Sequence, residues 1–176
     1  MKNVVFLIAA ASEHEYLNKK HGGFKYFKYS IPSWEYWCEK NNVELVIYDT
    51  PSDGEHVKHK ITWQRWFDLF DQLDRSKIDY NKIALIDACT IIRWDTPNFF
   101  DFVNNGEVNL FRSLENIRWV NEGVTGYEKF FKNHYPNFKF DLKEYSSCGW
   151  QIFDKEHKAF LEKLKSFYYE NYEDIM

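Results

Sequence analysis

An aspartate at the end of an apolar, strand-like run is well placed to meet a ligand, and this chain has two. Ile83 to Ile86 lead into Asp87, which is followed by Ala88, Cys89 and Thr90, and Val43 to Tyr48 lead into Asp49. A carboxylate in such a place can accept hydrogen bonds from ribose hydroxyls or bind a hard cation. Ala10, Ala11 and Ser12 close a third apolar run, and residues this small let a ligand come close to the backbone. Lys60 and Arg65 offer a point charge and a planar fork for phosphate. The competing account is ordinary: strand-end acids cap the next turn, and most helical arginines are solvated. His56 and His59, beside Asp53 and Glu55, have metal-ligand spacing, but in a polar loop such a group is more often a solvated cluster.

These residues need a scaffold that brings strand ends together. Residues 4–11, 43–49, 82–88, 108–113 and 149–154 read as strands. Pro32 opens a helix that stops at Asn41-Asn42. Trp63, Trp66, Phe67, Phe70 and Leu73 recur at intervals of three and four, which makes one apolar helical stripe. Pro97 opens a short helix through Phe102, with Asp95 before it as a cap. Residues 118–137 are poorly patterned, with helical character around Tyr127 to Phe131. A last helix carries Phe160, Leu161, Leu164, Phe167 and Tyr168 on one face. Alternating strands and helices, with connections long enough for crossovers, predict an α/β fold with an open, mostly parallel twisted sheet and helices on both faces. Residues 1–176 read as a single domain. In such sheets ligands bind beyond the carboxyl ends of the strands, where Asp49, Asp87 and residues 10–12 all fall.

Composition removes several function classes. A net charge of −4 with scattered lysines leaves no basic footprint for nucleic acid. Cys38, Cys89 and Cys148 stand far apart with no Cys-x-x-Cys pair, which argues against a disulfide framework or structural zinc and fits a reducing compartment. The apolar run at 4–11 is too short to span a bilayer, so no transmembrane segment and a cytoplasmic location are expected. Aromatic residues form 20% of the chain, enough to fill a core and still leave rings for a sugar platform. Trp34, Trp37, Trp63 and Trp66 have helical spacing and read as core, whereas Trp94, Trp119 and Trp150 lie near loops or strand ends and are the platform candidates.

The segment KIALIDACTIIRWDTPNFFDF, 82–102, resembles the central segment of GT-A fold glycosyltransferases, in particular the glycogenin-like and galactosyltransferase-like retaining group. There a strand ends in an Asp-x-Asp motif and a helix that often begins with proline follows. The opening strand, the strand ending in Asp49, and the helix with its basic residue also have counterparts, and SSCGWQIFDKEHKAFLEKL, 146–164, is similar to a later strand-and-helix unit that opens Asn-Ser-Gly. The likeness runs through nearly the whole chain. It implies a nucleotide-sugar donor, a glycan, lipid or protein acceptor, a manganese or magnesium ion and no organic cofactor. By the same resemblance Ala10, Ala11, Ser12, Asp49, Lys60, Arg65, Asp87 and Ala88 would bind the nucleotide sugar.

Three departures qualify that expectation. Asp87 matches the first motif acid, which in the family touches ribose and metal, but Cys89 stands where the second metal ligand would be. Hard cations prefer oxygen ligands, so metal binding is expected to be weak or lost. Ser147-Cys148-Gly149 lacks the asparagine of the later motif. Family members also continue well past the equivalent of Met176 and often supply a histidine ligand there, so the chain is expected to lack the usual C-terminal part. The alternative reading is a non-catalytic relative that binds a sugar nucleotide or glycan without turnover. A third is a phosphatase of the haloacid-dehalogenase type, whose Asp-x-Asp-x-Thr motif IALIDACTI also resembles, although that motif usually falls on the first strand.

Overall fold

The computed structural model describes residues 1–9, 25, 27–49, 61–112, 117–137, 139 and 146–175. Five strands form one sheet: β1 (Lys2–Ile8), β2 (Glu44–Tyr48), β3 (Tyr80–Asp87), β4 (Asn109–Arg112) and β5 (Ser146–Asp154), in the order β2-β1-β3-β5-β4. β1 pairs in parallel with β2 and β3, while β5 is antiparallel to both β3 and β4. Among these strands only β5 runs against the rest, so the sheet is open and mostly parallel. The helices are α1 (Ser30–Lys40), α2 (Ile61–Phe67), α3 (Leu69–Arg75), α4 (Ile117–His134), α5 (Lys158–Glu170) and α6 (Tyr172–Ile175). Short 3₁₀ turns occupy Phe99–Phe102 and Lys155–His157. Among the described residues no helix is long and apolar enough to cross a membrane.

The period of two along the central strands sorts their side chains into two cores. Val5, Leu7, Ala84 and Ile86 pack under α1 with Ile31, Trp34 and Trp37. Val4, Phe6, Ile83 and Leu85 pack on the other face under α3 and α5, with Leu69, Leu73 and Leu161. Burial on both faces explains why these strands read as continuous apolar runs rather than as alternating ones.

Two helix ends turn the chain back into the sheet by the same device. After α1, Asn42 takes a left-handed φ of 53°, and Val43 N–H reaches the Cys38 carbonyl at 2.9 Å. After α3, Lys77 does the same with a φ of 54°, and Ile78 N–H reaches the Leu73 carbonyl at 3.0 Å. Both satisfy carbonyls that a helix end would leave open.

The structure differs from the sequence expectations in several places. α1 begins two residues before Pro32, which sits within the first turn, where a missing N–H costs nothing. The expected single helix with the Trp63–Leu73 stripe is interrupted at Asp68, although Asp68 N–H still bonds the Gln64 carbonyl at 2.8 Å. The turn at Phe99–Phe102 is capped by Asn98, whose side chain accepts from Phe100 N–H, and Asp95 instead pairs with Arg93. The poorly patterned region is a long helix, α4; Gly123 and Gly126 lower its local helical preference and obscure the signal. On α5, Leu161 and Tyr168 are buried as expected, but Phe160 is 55% exposed.

Candidate functional site

Parallel pairing brings the strand ends level. Ile8 lies opposite Tyr48 on one side and Asp87 on the other. Asp49, the next residue after Tyr48, therefore stands at the same carboxyl edge as Asp87 and is exposed there. Two strand spacings, roughly 10 Å, separate them. The register of β3 with β5 ends at Ile86 opposite Trp150; continued by one step it carries Gly149 to the level of Asp87. The Ser147-Cys148-Gly149 segment thus reaches the edge where the Asp87 turn lies. Ala10, Ala11, Ser12 and Lys60 lie outside the described residues, as do His56 and His59. Ala9, just before that loop, is buried and donates its N–H to the Tyr48 carbonyl at 2.8 Å.

Asp87 ends β3 and its chain turns at once. Thr90 N–H and the Thr90 hydroxyl both bond the Asp87 carbonyl, at 3.0 and 2.7 Å. Trp34 then holds this turn from α1: its indole N–H lies 3.1 Å from the Thr90 carbonyl and 3.2 Å from the Thr90 hydroxyl oxygen. Further along, the Ser33 hydroxyl accepts from Ile92 N–H and Trp37 donates to the Thr96 carbonyl at 2.9 Å. Ala88 is buried in the α1-side core, so only its backbone is left to face the edge. Cys89 is exposed. Crowding by neighbouring protein first, and the Asp87 carboxylate second, raise its thiol above the ordinary value. The thiol therefore stays protonated at neutral pH.

The second component comes from α2 on the opposite face. Arg65 is 7% exposed, and its Nη1 donates to Asp87 Oδ1. The Asp87 side chain keeps 41% exposure, so its carboxylate is paired on one side and open on the other. Arg65 lies over the Trp66 ring at 4.4 Å, and the Trp66 indole N–H is tied to Gln151 Oε1 of β5 at 2.5 Å. Among the described residues, Gln64 Oε1 and Arg65 Nε are buried without a hydrogen-bond partner. Arg65 and Asp87 therefore meet at one edge, while sequence reasoning missed both the clamp by Trp34 and the support from Gln151. The indole N–H of a core tryptophan was the available signal for the first, because a buried donor needs an acceptor.

The residues at this edge do not fit the divalent cation that an Asp-x-Asp motif implies. One oxygen of Asp87 is engaged by a guanidinium, and position 89 presents a soft, protonated thiol in place of a carboxylate. Among the described residues no group of three or more His, Cys, Asp or Glu side chains is placed to hold a metal.

Other candidates lie elsewhere. Trp150 is half-buried and packs edge-on against Trp34 and Phe99, at 5.9 and 4.8 Å, so it belongs to the core and not to a platform. Trp94 is 69% exposed, and the side chain of Trp119 is outside the described set. A shallow depression of about 450 Å³ sits at the amino edge of β3, lined in part by Tyr80, Lys155 and Lys158. Its acids are paired internally, Asp79 with Lys155 at 2.9 Å and Asp74 with Lys158 at 2.7 Å, and it lies at the opposite end of β3 from Asp87.

With this geometry in view, comparison with solved structures finds a similar fold in a glycosyltransferase involved in the glycosylation of the major capsid of PBCV-1, with a TM-score of 0.58 and 8% identity. The match covers 96% of this chain and 66% of that one, so the chain spans just under two thirds of its neighbour's length. No family model matches the sequence, and no curated protein does. At 8% identity the likeness is one of fold, and it makes the chain glycosyltransferase-like in architecture.

Proposed function

We propose that the chain binds a nucleotide-diphosphate sugar at the carboxyl edge of the sheet, as a GT-A type glycosyltransferase-like protein. The observation that carries this is Arg65 meeting Asp87 at the end of the central strand: a phosphate-binding fork and a half-open carboxylate at the place where α/β sheets take ligands. In this reading the free side of Asp87, and Asp49 across β1, accept hydrogen bonds from ribose or sugar hydroxyls. Arg65 binds the diphosphate, Ala10, Ala11, Ser12 and Lys60 supply further contacts to the donor in the same reading, and the acceptor is a glycan, lipid or protein.

A second reading has a specific observation behind it. With Cys89 in place of a ligand acid and Asp87 held by Arg65, the edge lacks the charge arrangement that a metal-assisted leaving group needs. Binding without turnover follows from that.

Calorimetry with uridine and guanosine diphosphates tests the first part. At least one is expected to bind, and Asp87→Asn should weaken it by about tenfold or more. Absence of binding to either refutes the proposal. Release of free nucleotide from the matching nucleotide sugar, with and without added acceptor, separates the transferase from the binding-only reading.

A further inference from the structure

The misfit between this edge and a divalent cation has a positive counterpart, which rests on the nucleotide-sugar reading above. We propose that Arg65 takes the cation's place, so that the site holds the donor's diphosphate through a guanidinium anchored on Asp87 and does so without metal.

Charge comes first. An edge with two motif acids would carry −2 and attract a doubly charged ion. Here Asp87 and Arg65 cancel at the motif position, Cys89 adds no charge, and the exposed Asp49 stands roughly 10 Å away across β1. An entering divalent cation would meet one carboxylate already paired and one guanidinium that repels it. A diphosphate meets the reverse: a cation whose counter-charge is a single, partly exposed carboxylate.

Geometry comes second. Of the five N–H groups of Arg65, the contacts among described residues use one, to Asp87. Among the described residues its Nε is buried with no partner, and so is Gln64 Oε1 beside it in sequence. A buried guanidinium left this far from satisfied costs free energy unless something completes it. Phosphate oxygens do so in the bidentate manner that suits a planar fork. The fork is also held in place: Asp87 fixes one end, the Trp66 ring lies under it at 4.4 Å, and Gln151 fixes that ring. A lysine, as a flexible point charge, would lose this preorganisation.

The test uses inorganic pyrophosphate and uridine diphosphate as probes, each titrated in chelator and in manganese. The wild-type chain is expected to bind in chelator, with manganese changing the affinity by less than about twofold. Arg65→Gln should lose about tenfold or more in chelator, and Arg65→Lys should fall between the two. The double change Arg65→Gln with Cys89→Asp should bind again, but only with manganese, because it restores the two-acid charge. Circular dichroism of each variant confirms that the fold persists. Wild-type binding that requires manganese overturns the inference and leaves the nucleotide-sugar reading standing. So does chelator-phase binding unchanged in Arg65→Gln. Failure of both probes under every condition overturns the nucleotide-sugar reading itself, and this inference with it.

Discussion

On the α1 side of the sheet the chain leaving β3 has its polar groups taken up one after another. Trp34 bonds Thr90, Ser33 bonds Ile92, Trp37 bonds Thr96, and Lys40 reaches the Trp94 carbonyl at 2.9 Å. On the α2 side, among the described residues, Arg65 Nε next to Asp87 is buried and lacks a partner, as does the buried Gln64 Oε1. An unpaired buried polar atom costs about 1–3 kcal/mol, and native proteins keep few of them. The two flanks therefore differ: the α1 side holds the Asp87 turn in position, and on the proposed reading the α2 side keeps hydrogen-bonding capacity for a ligand.

Trp34 is where that contrast can be broken most sharply. It is fully buried, touches Trp37, Phe99 and Trp150, and holds Thr90. Trp34→Ala is expected to cost about 3–5 kcal/mol in urea unfolding, from the cavity and the released turn together. A loss under about 1 kcal/mol would mean the turn does not depend on this flank.

Cys38, also on α1, sharpens the picture through pH. Burial first, and the Glu44 carboxylate second, push its thiol up to about 12 from 9.0. A thiol raised in the folded state stabilises fully below its unfolded pKa, and the contribution drains away as pH climbs toward the folded value. The stability difference between the native chain and Cys38→Ala should therefore shift against the native chain by roughly 2 kcal/mol between pH ~8 and ~10.5. Iodoacetamide on the folded protein should meanwhile label Cys89 and Cys148, which are exposed, and spare Cys38. Rapid labelling of Cys38 would show that the α1 flank opens.

Arg65 should behave in the opposite way to Trp34. Arg65→Met removes a buried charge that is only partly satisfied and leaves Asp87 with water on its open side. Its cost in the same urea experiment is expected to stay below about 1 kcal/mol, while phosphate binding collapses. Were it to cost as much as Trp34→Ala, Arg65 would be structural and the two flanks would be alike.

Trp94 bounds the smallest effect. Its ring is 69% exposed although its carbonyl is held by Lys40. Trp94→Ala should change stability by no more than about 0.5 kcal/mol, since the hold is through backbone. A larger change would extend the scaffold out to the surface of that flank.

Much of the framework was legible because it rests on local and periodic signals. Apolar runs between polar breaks marked β1, β2 and β3, and Asp49 and Asp87 at the ends of the latter two marked the edge. The stripe from Trp63 to Leu73 marked one helical stretch, which the structure divides into α2 and α3. Legibility failed where local signals conflict. Asp95 looked like a helix cap, but Asn98 is one residue from the turn it serves, and the Arg93 fork competes for the Asp95 carboxylate. α4 was obscured by its glycines. Trp150 near a strand end looked like a surface ring, yet β5 reverses between β3 and β4 and turns it into the α1-side core.

What the sequence by itself determined was which residues end strands and which helices carry an apolar face, because burial on a strand or helix repeats with the period of the backbone. What only the tertiary structure decided was which polar groups meet. Arg65 finds Asp87 across 22 residues, Trp34 finds Thr90 across 56, and Trp66 finds Gln151 across 85. No periodicity encodes those meetings. They follow from how far each helix is rotated on the sheet and from the register of β5 against β3, and both are set by packing many side chains at once.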